Sequence, residues 1–176
     1  FAAERYDVVP DMITFAKGVT NAAVPMSGVL CRKGLYETHM QGPEYLVELF
    51  HGYTYSGHPL AVAAGLATLE LYKKEALFER ARALEGKFAD AMMSLKGLPN
   101  VADIRPIGLM CGIDLDPTPG KPGERGYNAI EKMFHEMDIY CRVTMDTLIV
   151  SPPLIVSEAQ IGEITDKLAR TIKAVA

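Results

Sequence analysis

The residue with the clearest potential for chemistry is Lys17, which closes a short apolar run and is followed by a glycine. The run, residues 12–16, is too short for a helix and predicts a buried strand bounded by turn signals. A lysine at the end of a buried strand lies where ligands bind in open α/β sheets, and such a site can make the amine nucleophilic enough to form a Schiff base. The alternative is a structural lysine whose amine reaches solvent at the strand end, and these residues by themselves favour it.

A second stretch, His51 to Pro59, reads His-Gly-Tyr-Thr-Tyr-Ser-Gly-His-Pro and leads directly into an alanine-rich helix. Hydroxyl groups and glycines at the start of a helix are suited to phosphate binding. His51 and His58 lie seven residues apart without a cluster of carboxylates, so the sequence predicts structural hydrogen bonding for them and no metal site.

Together the two stretches resemble the class III aminotransferases of fold type I, which use pyridoxal 5'-phosphate (PLP). In that family the lysine of Ala-Lys-Gly forms the Schiff base with PLP. The threonine of a Gly-x-Thr-x-x-Gly-His-Pro segment reaches the PLP phosphate of the partner subunit. The resemblance therefore implies a catalytic role for Lys17 and a phosphate contact for Thr54, with Tyr53 as a further cofactor-binding candidate. The alternative for Thr54 is a cap on the helix that begins at Pro59.

A third motif runs from Arg142 to Asp146 ahead of a Pro-Pro pair. In the ω-amino acid:pyruvate branch of the family, an arginine four residues before that aspartate binds the carboxylate of the amino acceptor, which a guanidinium does through paired hydrogen bonds. The ornithine and aminobutyrate branches instead place an arginine where this chain has Val150. The resemblance thus implies that Arg142 binds substrate, and the alternative is a solvated surface arginine.

The resemblance covers essentially the whole chain and implies an α/β fold. We expect the C-terminal part of the large domain of an aspartate aminotransferase-like PLP-dependent transferase, followed by an α+β small domain. The predicted organisation is residues 1–75 as part of the PLP-binding large domain, 76–97 as a connecting helix, and 98–176 as the small domain. Family members run to more than twice this length. The aspartate for the pyridine nitrogen, the glycine/serine phosphate cup and the aromatic residue that stacks on the ring are therefore expected outside this chain.

Periodicity predicts the individual elements. Helices are predicted over residues 34–39, 59–75, 76–95, 127–137 and 158–174, the last with Ser157 as its N-cap. Strands are predicted over residues 12–16, 26–32, 101–107, 109–115, 139–143 and 147–150, with a surface loop over 116–126. The helix over 59–75 is expected to pack closely through a stripe of mostly small residues, namely Leu60, Ala63, Ala64, Ala67 and Leu71. The helix over 127–137 is expected to turn Ile130, Met133, Phe134 and Met137 inward.

Composition narrows the class of protein. The 176 residues are 49% hydrophobic, which is enough for a packed core, and the net charge of −4 is spread without a basic block that would suggest nucleic acid. The apolar runs are interrupted by glycine or charge and are too short to span a membrane. The three cysteines lack Cys-x-x-Cys spacing and predict reduced, mostly buried thiols in a cytoplasmic protein.

The resemblance implies PLP-dependent transamination between an ω-amino acid or amine donor and pyruvate or a similar ketoacid. The resemblance implies a homodimer or a dimer of dimers with shared active sites, without nucleic acid or membrane. Two alternatives stay open. One is another class III PLP reaction, such as that of an aminomutase or a decarboxylase. The other is an inactive fragment that lacks the N-terminal half of the site.

Overall fold

The computed structural model describes residues 2–46 and 49–176, which divide into two compact units, the first ending at Glu75 and the second running from Ala76 to Ala176. In the first unit, helix α1 (Ala2–Arg5) precedes strand β1 (Met12–Ala16), a 3₁₀ helix (Lys17–Thr20) and strand β2 (Ser27–Cys31). Helix α2 (Lys33–His39) and helix α3 (Pro59–Lys74) follow. Pro59 occupies the first turn of α3, where its missing N–H has no intrahelical partner to lose.

Strands β1 and β2 form an antiparallel hairpin in register from Met12 opposite Cys31 to Ala16 opposite Ser27. The prediction of a buried strand is wrong for β1, whose side chains are exposed within this unit apart from the half-buried Phe15. A hairpin of two strands covers neither of its own faces. The Phe15 ring instead lies over its cross-strand partner Gly28, where a Cβ would come within 2.4 Å of the ring.

Helix α3 packs within its unit through a face that the sequence analysis did not predict. The predicted stripe is largely exposed, with Leu60 at 63%, while Ala61, Gly65 and Thr68 are buried. Gly65 lies against the segment after β1, since a Cβ there would be 3.4 Å from the Met26 sulfur and 3.7 Å from the Val19 carbonyl oxygen. A Cβ at Gly65 would thus be in ordinary van der Waals contact with this segment, so the packed face of α3 approaches it closely.

The second unit contains helix α4 (Leu77–Met93), strands β3 (Val101–Ile107) and β4 (Met110–Leu115), and helix α5 (Glu124–Glu136). Strands β5 (Arg142–Thr144) and β6 (Thr147–Val150) and helix α6 (Glu158–Ala174) complete it. The four strands form one antiparallel sheet in the order β3-β4-β6-β5. The helix expected to connect two domains, α4, contributes Leu84, Phe88 and Met92 to the core of this unit.

The core lies between one face of the sheet and the helices, and its largest fully buried side chains include Phe88, Met92, Ile113, Met133, Leu148, Leu168 and Ile172. Ser157 begins α6 with a reciprocal capping pair: its hydroxyl accepts from the Gln160 N–H at 3.2 Å, and the Gln160 side chain accepts from the Ser157 N–H at 2.9 Å. The predicted N-cap is thereby confirmed.

Two details of the second unit differ from the sequence prediction. Phe134 is 59% exposed, because α5 buries the line of Gly126, Ala129 and Met133 and leaves Phe134 on its flank beside Tyr140. Helix α5 also begins at Glu124, inside the predicted loop.

The opposite face of the sheet is polar. The Arg105 side chain crosses Gly112 on the neighbouring strand and donates to Asp114 at 2.8 Å, and the Thr147 hydroxyl donates to the same carboxylate at 2.8 Å. No helix in the described part of the chain is both long and apolar enough to cross a membrane.

Candidate active site

Lys17 lies at the junction between strand β1 and the 3₁₀ helix, with its backbone in the left-handed region at φ 56°. A residue with a Cβ adopts this conformation only at a cost of roughly 1–3 kcal/mol, which the surrounding structure must offset. The turn that follows is closed by backbone bonds, since the Ala22 N–H donates to the Lys17 carbonyl at 3.3 Å and the Asn21 N–H to the Gly18 carbonyl at 3.2 Å. Residues held in this region are often found at functional sites, and Asn21 and Ala22 in the same turn share the conformation.

Two further contacts fix this turn. The Thr20 side chain is fully buried, and its hydroxyl donates to the Val24 carbonyl at 2.6 Å. From helix α3, the Tyr72 hydroxyl donates to the Gly18 carbonyl at 2.6 Å. The second bond joins residues 54 positions apart, so no local sequence signal points to it.

An open cavity of about 830 Å³ lies beside this turn, and Lys17 and Tyr53 both line it. Its remaining walls come from the segment after β1, from the turn before α3 and from the start of α3; they include Thr20, Met26, Ser27, Tyr55, Ser56, Gly57, His58, Ala61 and Val62. The two motifs that the sequence analysis singled out, about forty residues apart, therefore meet at one cavity.

The segment from His51 to His58 forms a turn that carries hydroxyl and ring groups. The Tyr53 N–H donates to the Ser56 hydroxyl at 2.9 Å, which closes the turn, and the Ser56 N–H donates to the Tyr53 carbonyl at 3.0 Å. Thr54 is exposed and is not among the described residues that line the cavity. The structure thus groups Tyr53 with Lys17, while Thr54 is exposed and lies outside the lining of this cavity.

Arg142 belongs to the second unit, where it is the exposed first residue of the edge strand β5 and pairs with Ile149 on β6. The turn between these strands is held by Asp146. This buried carboxylate accepts from the Gly123 N–H at 2.6 Å and the Gly126 N–H at 3.0 Å, both at the start of α5. A negative charge accepting from the N-terminal N–H groups of a helix is stabilised by the helix dipole.

The sequence analysis used Asp146 only to locate Arg142 and missed its structural role. Two glycines three residues apart at a helix start, Gly123 and Gly126, are the signal that was available. A Cβ at Gly126 would lie 2.0 Å from the Met145 carbonyl oxygen, so the helix start touches the turn directly.

Among the described residues, no group of three or more histidine, cysteine, aspartate or glutamate side chains is placed to hold a metal ion. The cysteines carry free thiols, with Cys31 exposed and both Cys111 and Cys141 buried. Burial raises the pKa of the Cys141 thiol to about 11 and also raises the pKa of Cys111.

Similar proteins define the family to which this chain belongs. Residues 1–172 match the family described as aminotransferase class-III. The omega-aminotransferase of Caulobacter vibrioides is 48% identical over 98% of this chain, and the omega-amino acid–pyruvate aminotransferase of Pseudomonas putida is 41% identical over 86%. A solved structure, the thermostable (S)-enantioselective omega-transaminase from Thermomicrobium roseum, is 30% identical over 99% of this chain with a TM-score of 0.90.

The fold is thus part of the α/β fold of the transaminases. The chain belongs to the class III aminotransferases. It spans 39% of the length of the Caulobacter relative, 34% of the Pseudomonas putida relative and 40% of the Thermomicrobium chain.

Proposed function

We propose that the protein is a PLP-dependent transaminase in which Lys17 holds the cofactor and carries the transferred proton. The observation that carries this proposal is the position of Lys17, strained and at the wall of a cavity shared with the Tyr53 segment, in a member of the class III aminotransferases. A lysine amine meets the two needs of this chemistry, a covalent bond to an aldehyde and a base for a proton on carbon.

The residues present fit such a cofactor. The cavity of about 830 Å³ falls within the usual range for small-molecule sites, roughly 300–1,000 Å³. Its lining offers one amine, the hydroxyls of Tyr53, Tyr55 and Ser56, and the start of α3, which together match an aldehyde, an aromatic ring and a phosphate. Lys17 would hold the aldehyde, and the turn before α3 would lie toward the phosphate.

PLP, when bound, withdraws electrons from the carbon that bears the amino group and so makes its proton acidic. Lys17 Nζ would take that proton and return it. The strained backbone at Lys17 and the closed turn that follows would hold Nζ in place between these two steps, which lowers the entropic cost of the proton transfer.

For the substrates we propose an ω-amino acid or amine as donor and pyruvate or a similar ketoacid as acceptor. The Caulobacter relative is an omega-aminotransferase and the Pseudomonas relative an omega-amino acid–pyruvate aminotransferase, which supports this class. Arg142 is proposed to bind the acceptor carboxylate, supported by its exposed position at the start of strand β5, whose other end leads into the turn that Asp146 fixes. A rigid turn next to the strand that carries Arg142 favours binding of the carboxylate, because little backbone and side-chain entropy is then lost on binding.

The assembly is proposed to be a homodimer or a dimer of dimers with shared active sites. Thr54 supports this proposal, because it is exposed and does not line the cavity of its own chain, so its hydroxyl would be available to the site of a second copy. The three free cysteines support a further proposal, that the protein works in the reducing cytoplasm.

The test is covalent trapping. The protein that contains this chain is mixed with PLP, reduced with borohydride, digested and mapped by mass spectrometry. We expect the phosphopyridoxyl group on Lys17, loss of the adduct in Lys17→Ala, and no change in Lys33→Ala, which removes a lysine that is 86% exposed. An adduct spread evenly over surface lysines would refute the proposal.

A further inference from the structure

The phenol of Tyr72 donates to the carbonyl of the residue directly after Lys17. That carbonyl, on Gly18, also accepts from the Asn21 N–H at 3.2 Å, so it is bonded from the turn and from helix α3 at once. At 2.6 Å the bond from Tyr72 is the shorter of the two. A short bond to the second residue of a four-residue 3₁₀ helix constrains the orientation of the whole turn.

The bond acts at a strained position. Lys17 has φ 56°, and the residues that close the turn, Asn21 and Ala22, have φ 50° and 59°. Three residues with a Cβ in the left-handed region would relax toward ordinary backbone angles unless outside contacts held them. Within the described part of the first unit, helix α3 supplies such contacts.

Helix α3 reaches the turn along one line of side chains. Ala61, Gly65, Thr68 and Tyr72 recur at helical spacing and form its packed face. Ala61 lines the cavity of Lys17 at one end of this line, and Tyr72 bonds to Gly18 at the other. The helix that forms a wall of the cavity therefore also holds the backbone of the lysine.

We propose that Tyr72 is a positioning residue for Lys17: its hydrogen bond to the Gly18 carbonyl keeps the lysine backbone in the left-handed conformation that presents the amine to the cavity. This inference rests on the proposed function of Lys17 as the point of cofactor attachment. It makes Tyr72 part of the site although its side chain is not among the described residues that line the cavity.

The test uses Tyr72→Phe, which removes the hydroxyl and keeps the ring. Two variants of the same unit are the controls. Tyr36→Phe makes the same change on a tyrosine that is 59% exposed, and Thr68→Ser removes one buried methyl group from the same face of α3 without touching Gly18. The second control measures what a loss of packing alone does.

The readout is the ratio of phosphopyridoxyl adduct on Lys17 to adduct on the exposed Lys33, after brief exposure to PLP and borohydride at a temperature well below unfolding. Lys33 is an internal standard, so the ratio does not depend on protein concentration or reagent. Loss of one hydrogen bond corresponds to about a two- to tenfold change in an equilibrium between two conformations. We expect the ratio to fall by that factor in Tyr72→Phe and to stay at the wild-type value in both controls.

The outcomes separate the inference from the function on which it rests. If wild-type protein shows no preference for Lys17, the proposed function fails and the inference with it. If wild type prefers Lys17 and Tyr72→Phe keeps that preference, only the inference is overturned. An equal fall in Tyr72→Phe and Thr68→Ser would also overturn it, because general loosening of α3 would then explain both.

Discussion

Gly126 is the position at which the second unit should be least tolerant of an added methyl group. It is the third residue of α5, and its N–H donates to the buried Asp146 carboxylate at 3.0 Å. In Gly126→Ala, the new Cβ would meet the Met145 carbonyl oxygen at 2.0 Å, a Val143 methyl at 2.9 Å and the Asp146 Cα at 3.0 Å. Two of these three atoms belong to backbone, which cannot rotate away.

The magnitude follows from opposing terms. Alanine in place of glycine inside a helix stabilises by about 1 kcal/mol. Overpacking costs roughly 1–3 kcal/mol, and displacing a hydrogen bond to a charged group roughly 1.5–3 kcal/mol. The net expectation is a loss of about 2–4 kcal/mol from the free energy of unfolding of the second unit.

The rate at which a thiol reagent labels Cys141, a buried cysteine of the second unit, reports this loss of stability. Cys141 is buried, which keeps a thiol reagent from its sulfur and raises its pKa to about 11, so we expect it to react mainly when the unit opens. A loss of about 2–4 kcal/mol should make its labelling by a thiol reagent about 30- to 1,000-fold faster in Gly126→Ala. Cys31, exposed in the first unit, should label at the wild-type rate throughout.

Gly86→Ala is the matched control. Gly86 also lies inside a helix, α4, but a Cβ there would meet nothing within 4 Å. In Gly86→Ala, the rate of Cys141 labelling should be unchanged or lower by up to about fivefold, because alanine stabilises a helix interior relative to glycine. If Cys141 in Gly126→Ala were labelled at the wild-type rate, the reasoning would be refuted, because the start of α5 and the β5–β6 turn could then move apart freely.

Three further predictions concern charge and assembly. Arg142→Ala in the protein that contains this chain should lower the specificity constant for pyruvate about ten- to a hundredfold, since a charge-assisted contact is lost. The half-reaction with a carboxylate-free amine should be unchanged. Equal losses in the two half-reactions, measured by stopped flow, would mean that Arg142 is structural. Mixing Lys17→Ala with Thr54→Ala should partly restore activity through heterodimers with one intact site; no recovery after demonstrated subunit exchange would contradict a shared site. The hydrogen bond from Arg105 lowers the pKa of Asp114 below 3.8, so the contribution of Asp114 to stability is present above that pH and is lost as the pH falls through the lowered pKa. Asp114→Asn should therefore weaken the loss of stability at acid pH, followed by circular dichroism. An unchanged loss of stability at acid pH would mean that other carboxyl groups govern it.

Local sequence signals predicted most of the elements. The helices α3, α4 and α6 lie within one or two residues of their predicted bounds, because a 3.6-residue period and a proline, glycine or serine at the ends depend only on neighbouring residues. Strands β1, β3 and β6 have the predicted bounds. Strand β5 begins three residues later than predicted, since Ile139 to Cys141 are apolar but have no pairing partner in β6.

The errors share one physical cause, which is that burial depends on what covers a residue. Strand β1 is apolar and was predicted to be buried, yet the described part of its unit covers only Phe15. In α3 the predicted stripe is largely exposed, and the helix packs within its unit through Ala61, Gly65 and Thr68 instead. Phe134 fits the apolar pattern predicted for α5 but is exposed in the structure. The close contact of Gly126 with the β5–β6 turn fixes the rotation of α5 about its axis and leaves Phe134 outside the buried line.

The sequence by itself determined the family and pointed to Lys17, because a lysine between alanine and glycine followed by the Tyr53–Thr54 segment is a pattern of residue types in order. The tertiary structure alone decided that these two segments meet at one cavity, that Thr54 is not part of its lining, and that Tyr72 bonds to the residue after the lysine. Each of these depends on backbone atoms brought together from distant parts of the chain. Every residue has a backbone carbonyl, so the residue type at position 18 gives no sign that its carbonyl accepts a hydrogen bond from Tyr72, and only the fold shows it.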